Sequence, residues 1–402
     1  MRLISSKIVQ NVELVHQTMQ NKKIKVFIIA GEVSGDVLGA RIIEQMRDRA
    51  EFTGVGGENM ARAGLTSILP ISDLAVMGII EVAAHARTLT RRIRQTADEI
   101  IRVRPDIVLT IDAPGFARGV IKRIKKSAAG RDLIKDGLRF HHFVAPQVWA
   151  WRPGRAKKYA ATFDKLYSFF DFEVPYFTKY GLNTIAVGHP LADGLIGKYK
   201  TDNKKQEKII TLIPGSRLSE VKKLLSIFHQ ITDMLVSCGY IGYKFVMPTV
   251  ETTDAYLREQ TAKWKTRPEL VPASSRYDWY AKTYIAIAAS GTVSAELAMI
   301  HIPTIVIYKM NAITTWLVRQ VIRTRWVSLV NVLLQRTVYP EFLGPRATAE
   351  NVLNAVGQLA IPSVREKMIA DLKNADNLWR QNDDVVSATI ADDIYRTVVE
   401  KN

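Results

Sequence analysis

Two widely separated segments of the chain carry the same signal, and together they restrict the fold. Near the N-terminus an apolar run, Val26-Phe27-Ile28-Ile29-Ala30, ends in Gly31-Glu32-Val33-Ser34-Gly35-Asp36. About 260 residues later a second run, Tyr284-Ile285-Ala286-Ile287-Ala288-Ala289, ends in Ser290-Gly291-Thr292, with Glu296 one helical turn beyond. Each reads as a buried parallel strand, a turn of small residues and a helix N-terminus. Unpaired backbone N–H groups and the helix dipole converge on such a turn, which therefore suits an anion. The pair predicts two α/β domains facing each other across a cleft. A chain of 402 residues is long for one core and suits two.

Strand-like and helix-like segments alternate throughout, as in doubly wound parallel sheets. Strands are predicted at 25–30, near 51–55, and at 107–111, 140–144, 165–167 and 184–187 in the first half. In the second half they fit 209–213, 243–247, the Leu270 region, 284–288 and 304–308. Helices fit 37–49, 89–102 and 219–238. The polar, lysine-rich stretch 194–208 reads as a linker. The predicted domains are thus 23–195 and 206–363, both Rossmann-like. A helical, amphipathic tail over 364–402 is expected to pack back on the first domain. Residues 1–22 have weak periodicity and read as an N-terminal arm without fixed structure.

No stretch reaches the roughly 18 consecutive apolar residues of a membrane span, and no secretory signal is evident in the first residues. The one cysteine, Cys238, rules out an intrachain disulfide and reads as buried packing. These features suit a soluble, cytoplasmic protein. The net charge of +17 draws it to polyanions. Basic residues concentrate between Arg87 and Arg104 and between Arg118 and Lys135, with almost no interleaved aromatics, which disfavours single-stranded nucleic acid. The apolar segment Leu74–Val82 precedes the first run, and Ala312–Val318 precedes Arg319, Arg323 and Arg325. Apolar residues beside cations suit an anionic lipid surface. A solvated helix face beside an ordinary core segment is the competing reading.

Several residues have the type and position for chemistry. Asp112 ends the run Ile107–Ile111 and precedes Ala113-Pro114-Gly115, where α/β enzymes place catalytic groups; it suits a general base or a helix N-cap. Gly215, Ser216 and Arg217 follow the run Ile209–Ile213, and suit a phosphate or a turn with a helix cap. Ser290, Gly291 and Thr292 repeat that logic for a diphosphate, with Glu296 placed to accept from ribose hydroxyls or to stabilise the helix start. Trp149, Trp151 and Arg152 leave a strand end and suit a substrate wall or a core. His141 and His142 point to opposite faces of a strand, so at least one is structural. His189 suits a cleft or a hinge. The Asp383-Asp384 and Asp392-Asp393 pairs read as solvated. There is no HExxH, no Cys/His cluster, no GxxxxGK[ST] loop and no GxGxxG fingerprint, so no metal or cofactor is expected.

In combination these segments resemble lipid-A-disaccharide synthases, glycosyltransferases of the GT-B fold. Gly31–Asp36 resembles the family's GEASGD signature, and Gly54-Val55-Gly56-Gly57-Glu58-Asn59-Met60 its GxGGxxM segment. Ala75–Gly78, Ile111–Pro114, Val148–Arg152, Pro214–Arg217 and Ala289–Thr292 follow in the family's order. Gly115 stands where a second Asp is frequent, Ala145-Pro146-Gln147 replaces Ser-Pro-Ser, Leu329-Val330-Asn331 stands for Leu-Pro-Asn, and Pro340–Gly344 lacks a closing Gln.

The resemblance implies an inverting transfer. The donor UDP-2,3-diacylglucosamine and the acceptor 2,3-diacylglucosamine 1-phosphate give the β(1→6) lipid A disaccharide and UDP, without a metal. It implies that Asp112 deprotonates the acceptor's C6 hydroxyl, with Glu32 contacting the acceptor or supporting Asp112. Gly215, Ser216, Arg217, Ser290, Gly291, Thr292, Glu296 and Asn331 would hold UDP. Ser34, Gly35, Asp36, Met77, Trp149, Trp151 and Arg152 would line the acceptor side. It further implies peripheral attachment to the cytoplasmic face of the anionic inner membrane and a homodimer with exchanged C-terminal segments. The rival readings are a UDP-GlcNAc 2-epimerase on the same fold and, from charge alone, a nucleic-acid-binding protein.

Overall fold

The computed structural model describes residues 23–74, 79–199, 207–309, 324–380 and 385–400, and the side chains of all of these except 79–86. The arm over 1–22, residues 75–78 of the apolar segment with Met77 among them, the side chains of its remainder to residue 82, Ala312–Arg323 and Asp383-Asp384 lie outside this description.

The described chain forms two compact units. Among the described residues, the first takes those up to Val148, Pro153–Pro190 and those from 385 on, and the second Trp149–Arg152 and those from Leu191 to Arg380. In the first, seven parallel strands form one sheet: β1 (Ile24–Ala30), β2 (Ala50–Val55), β3 (Thr66–Ser67), β4 (Ile107–Ile111), β5 (Arg139–Phe143), β6 (Lys165–Ser168) and β7 (Asn183–Ala186). Their spatial order is β3-β2-β1-β4-β5-β6-β7. The second unit holds six parallel strands: β8 (Ile209–Ile213), β9 (Lys244–Thr249), β10 (Glu269–Pro272), β11 (Ile285–Ala289), β12 (Thr304–Tyr308) and β13 (Glu341–Leu343). Their order is β10-β9-β8-β11-β12-β13. Both are Rossmann-type orders, as the alternation predicted.

Strands covered by helices on both faces are apolar at every position rather than at alternate ones. All residues of β4, β8 and β11 are buried, and in β1 only Lys25 is exposed. Val26 and Ile28 pack into one core, Phe27 and Ile29 into another, one on each face of the first sheet. β3 and β13 were not predicted. At two and three residues they are too short to leave a pattern.

Each sheet has one point where strand order reverses, and both functional turns sit there. β1 and β4 are neighbours, with Ala30 opposite Ile111, so Gly31–Glu32 and Asp112–Ala113 leave one sheet edge side by side. β8 and β11 are neighbours, with Ile213 opposite Ala288, so the Gly215 and Ser290 turns do the same in the second unit. Ligands of open α/β sheets bind outside the carboxyl ends of the strands at such switch points.

Several local expectations need correction. The helix predicted over 37–49 spans Val33–Gln45; its first turn, Val33-Ser34-Gly35-Asp36, has poor intrinsic propensity and resembles a turn of small residues in sequence. The tail is not one helix. Pro362–Asn374 and Asp376–Trp379 belong to the second unit, where Met368, Ile369, Leu372 and Trp379 are buried. Only the last helix, Val386–Val399, joins the first unit, with Ile390, Ala391 and Ile394 in the core of that sheet. It is pinned by charge too. Asp392 pairs with Arg49 at 2.6 Å. Asp393 pairs with Lys165 at 2.5 Å and accepts from the Tyr167 hydroxyl at 2.8 Å, so this acidic pair is not simply solvated. Cys238 is exposed, because it caps the C-terminus of the Leu218–Ser237 helix rather than facing the core.

The three histidines weighed from sequence are all buried. His142 is fully buried, bonds Thr110 Oγ1 through Nδ1 at 2.6 Å and stacks on Phe163 at 4.5 Å. Burial pushes its pKa down to about 3. His141 is on the other face, with Nδ1 2.8 Å from the Tyr167 hydroxyl. His189 packs against Phe169 and Phe170, and burial lowers it to about 4.

Candidate active site

The turn after β1 is built by close packing. A Cβ on Gly31 would lie 2.2 Å from Ala113 Cβ, so only glycine lets the β1 and β4 turns meet. Gly35 has a similar duty, since a Cβ there would sit 3.3 Å from the Ile111 carbonyl oxygen. Glu32 is the exposed N-cap residue of the Val33–Gln45 helix, and Ser34 is exposed in its first turn.

Asp36 does not face a ligand. It is 3 % exposed, and its carboxylate accepts from Gly57 N (2.7 Å), Asn59 N (2.9 Å), Asn59 Nδ2 (2.9 Å) and Met60 N (3.1 Å). Burial acts to raise its pKa, but these donors outweigh it and hold the carboxyl below its ordinary value. The residue expected on the acceptor side is thus the tie between the Gly31–Asp36 and Gly54–Met60 segments.

Asp112 has φ 52° and Ala113 φ 44°, and Val144, after neighbouring β5, has φ 79°. Left-handed backbone at residues other than glycine costs about 1–2 kcal/mol each and clusters at functional sites. Asp112 does not cap the next helix. The N-cap of Pro114–Lys126 is Ala113, and the described bond of the Asp112 carboxylate is to the adjacent Ala113 N at 2.9 Å. That disposes of the N-cap alternative. The charges of Asp112, Arg155 and Arg118 all reach the buried Tyr159 hydroxyl. Tyr159 is pushed up to about 12, chiefly by burial and then by the charge of Asp112, with Arg155 and Arg118 opposing. Tyr159, Arg155 and Arg118 were not predicted as site residues. Arg118 was seen only as part of a basic run.

Of the predicted aromatic wall, Trp149 is half-buried while Trp151 and Arg152 are exposed, with the guanidinium 4.5 Å above the Trp151 ring. Val148, fully buried, anchors the segment.

In the second unit a cavity of about 400 Å³ opens at the switch point, lined by Gly215, Ser216, Arg217, Ser290, Gly291, Thr292 and Glu296. The two turns read from sequence thus line one cavity. The N-termini of the Leu218–Ser237 and Thr292–Met299 helices flank it. Arg217 is largely exposed and rests on Glu220 at 3.2 Å. Glu296 does not serve its own helix start. It pairs with Arg276 at 3.2 Å, and Arg276 also donates to the Tyr277 hydroxyl at 2.9 Å. Arg276 and Tyr280 line the cavity and carry no motif, so sequence reasoning missed them.

Asn331 must be removed from the donor-binding set. It is fully buried. Its Oδ1 accepts from Val338 N (2.7 Å) and Tyr339 N (2.9 Å), and its Nδ2 donates to Tyr339 O and Glu341 Oε1 (both 2.8 Å). Two lone pairs and two protons are all an amide offers, so no capacity remains for a nucleotide.

With the geometry described, comparison with known proteins is informative. A family model described as lipid-A-disaccharide synthetase matches residues 26–384. The chain belongs to the lipid-A-disaccharide synthase family. The lipid-A-disaccharide synthase of Rhodospirillum centenum is 36% identical over 393 residues, covering 94% of this chain and 96% of that one. The lipid-A-disaccharide synthase of Bradyrhizobium diazoefficiens is 30% identical, covering 94% and 98%. Among solved structures, a glycosyltransferase from Rickettsia africae superposes with TM-score 0.54 at 13% identity, covering 95% of this chain and 100% of that one. A UDP-GlcNAc 2-epimerase from Neisseria meningitidis, bound to UDP-GlcNAc, superposes with TM-score 0.57 at 12% identity, covering 94% and 99%. These two likenesses show the fold alone, the two-domain α/β architecture of GT-B proteins.

Proposed function

We propose that this chain carries out its family's reaction, joining UDP-2,3-diacylglucosamine to the C6 hydroxyl of 2,3-diacylglucosamine 1-phosphate in lipid A biosynthesis. The second unit holds the donor and the first holds the acceptor. The carrying observation is the cavity where the Gly215 and Ser290 turns converge, beside two helix N-termini and Arg217. A diphosphate there displaces Glu220 from Arg217 and gains backbone N–H donors and helix dipoles. Glu296, oriented by Arg276, accepts from the ribose hydroxyls.

Asp112 is the base. Its carboxylate takes the proton of the C6 hydroxyl as that oxygen bonds to the donor's anomeric carbon. The bond from that carbon to UDP breaks on the opposite face, and UDP leaves with the electron pair. The anomeric centre inverts. Charge growing on the diphosphate is met by the fixed N–H groups and Arg217, which reorganise little during the step. Glu32, leaving the same sheet edge, contacts the acceptor.

Peripheral attachment to anionic membrane fits substrates that carry acyl chains. The supporting feature is the net charge of +17. No helix among the described residues is long and apolar enough to cross a membrane. The basic run 87–104 contributes less than its composition suggests, because Arg92, Arg94, Arg102 and Arg104 are ion-paired with acidic neighbours.

The test is product mass. The purified protein given both acylated sugars should yield the disaccharide 1-phosphate and equimolar UDP. Conversion of UDP-GlcNAc to its C2 epimer, with no disaccharide from the acylated pair, would place the chain with the epimerases instead.

A further inference from the structure

We propose that a basic cavity on the first unit receives the 1-phosphate of the acceptor sugar, with Arg118 and Lys122 as its ligands. This deepens the function proposed above and rests on it. The cavity, of about 490 Å³, runs along the Pro114–Lys126 helix. Gly115, Arg118, Gly119, Lys122 and Lys126 line it at helical spacings that fall on one face. Among the described residues no acidic side chain lines it. Lys125, also in the lining, is committed elsewhere: its Nζ donates to the carbonyls of Thr162 (2.9 Å) and Ala161 (3.3 Å). Arg118 and Lys122 are in no ion pair among the described residues. An uncompensated pair of cations beside a cavity recognises a phosphate rather than a neutral sugar.

Position assigns the phosphate. The cavity begins at Gly115, three residues after Asp112. A Cβ at Gly115 would meet nothing within 4 Å, which leaves room for a sugar ring between base and cations. In a hexopyranose, C1 and C5 flank the ring oxygen. An acceptor offering its C6 hydroxyl to Asp112 therefore carries its phosphate about one ring-width away. Arg118 lies roughly 6 Å along the helix from Pro114, about that span, and Lys122, one turn further on, lines the same cavity. The remaining source of the same chemistry is a phospholipid headgroup of the membrane surface.

The experiment compares acceptors with and without the phosphate. UDP release is measured in detergent micelles at saturating donor, with 2,3-diacylglucosamine 1-phosphate or 2,3-diacylglucosamine as acceptor. The proteins are wild type, the Arg118→Ala/Lys122→Ala double variant and the Arg118→Lys/Lys122→Arg exchange. The double variant should raise KM for the phosphorylated acceptor about 10- to 100-fold. Donor KM should stay unchanged, turnover of the phosphate-free acceptor should change far less than that of the phosphorylated one, and the exchange should recover part of the loss. Unchanged KM for the phosphorylated acceptor, or an equal loss with both acceptors, overturns the proposal. So does a variant that keeps its KM but no longer binds phosphatidylglycerol vesicles, since its cations would then serve headgroups. A wild-type protein that binds UDP but forms no disaccharide removes the proposed function and this inference together. Normal disaccharide synthesis with unaffected variants removes this inference alone.

Discussion

Replacing Asp36 by Ala separates a structural carboxylate from a ligand-binding one. Three of its four partners are the backbone N–H groups of Gly57, Asn59 and Met60. Leaving a buried donor unpaired costs about 1–3 kcal/mol. Met60 is fully buried and loses its partner outright, while Gly57 and Asn59 are half-buried and partly reach water. Weighting the three accordingly gives a loss of about 3–5 kcal/mol, large for a single substitution. For a unit of this size each kcal/mol moves the midpoint by roughly 2–4 °C, so melting should fall by about 10 °C. Asp36→Asn, which keeps one acceptor oxygen, should fall between. Thermal unfolding followed by circular dichroism measures this, and UDP release well below the midpoint measures function. The variant should retain most of its activity when folded. A midpoint within about 2 °C of wild type, far inside that range, combined with loss of acceptor turnover, would refute the reasoning and return Asp36 to the acceptor side.

Other substitutions and conditions have equally definite outcomes. Asp112→Asn should lower kcat about 10²- to 10⁴-fold, with stability within about 1 kcal/mol because Asn also tolerates left-handed backbone; an active Asn variant would remove Asp112 as base. Arg217→Ala should raise donor KM roughly 10- to 100-fold with no change in melting, as its side chain is 71 % exposed; isothermal titration with UDP reads this directly. His142 and His189 are held neutral, at about 3 and about 4. Below the unfolded value near 6.5 the unfolded chain binds protons that the native chain does not, so stability is complete above that pH and falls with acid. The two should cost about 4 kcal/mol between pH 7 and pH 5, seen as a lower urea midpoint, and His189→Phe should remove about half of the slope; a flat profile contradicts the assignment.

Much of this was legible in the sequence, for physical reasons. Doubly covered strands are apolar throughout, so β1, β4, β8 and β11 stand out. The small-residue turns at their ends mark the switch points without any three-dimensional information. The assignments of Asp36 and Asn331 went wrong because a motif names a residue but not its partners. Those partners lie 21–24 residues from Asp36 and 7–10 from Asn331. Both side chains belong to motifs because the local fold needs them, which looks the same in sequence as a functional need. Arg276 was invisible for the opposite reason, since it lines the second unit's cavity from the first residue of the short helix Arg276–Tyr280, with no pattern around it. The basic run near Arg118 was plain, yet only the helix face shows which of its cations share a cavity.

The most direct test of the central claim is acceptor-dependent UDP release. The purified protein would be given UDP-2,3-diacylglucosamine with and without 2,3-diacylglucosamine 1-phosphate, in detergent with EDTA, beside Asp112→Ala. Release that requires the acceptor, survives EDTA and collapses in the variant is the predicted result. A folded protein that binds UDP yet releases none from this pair, or a variant as active as wild type, would contradict it.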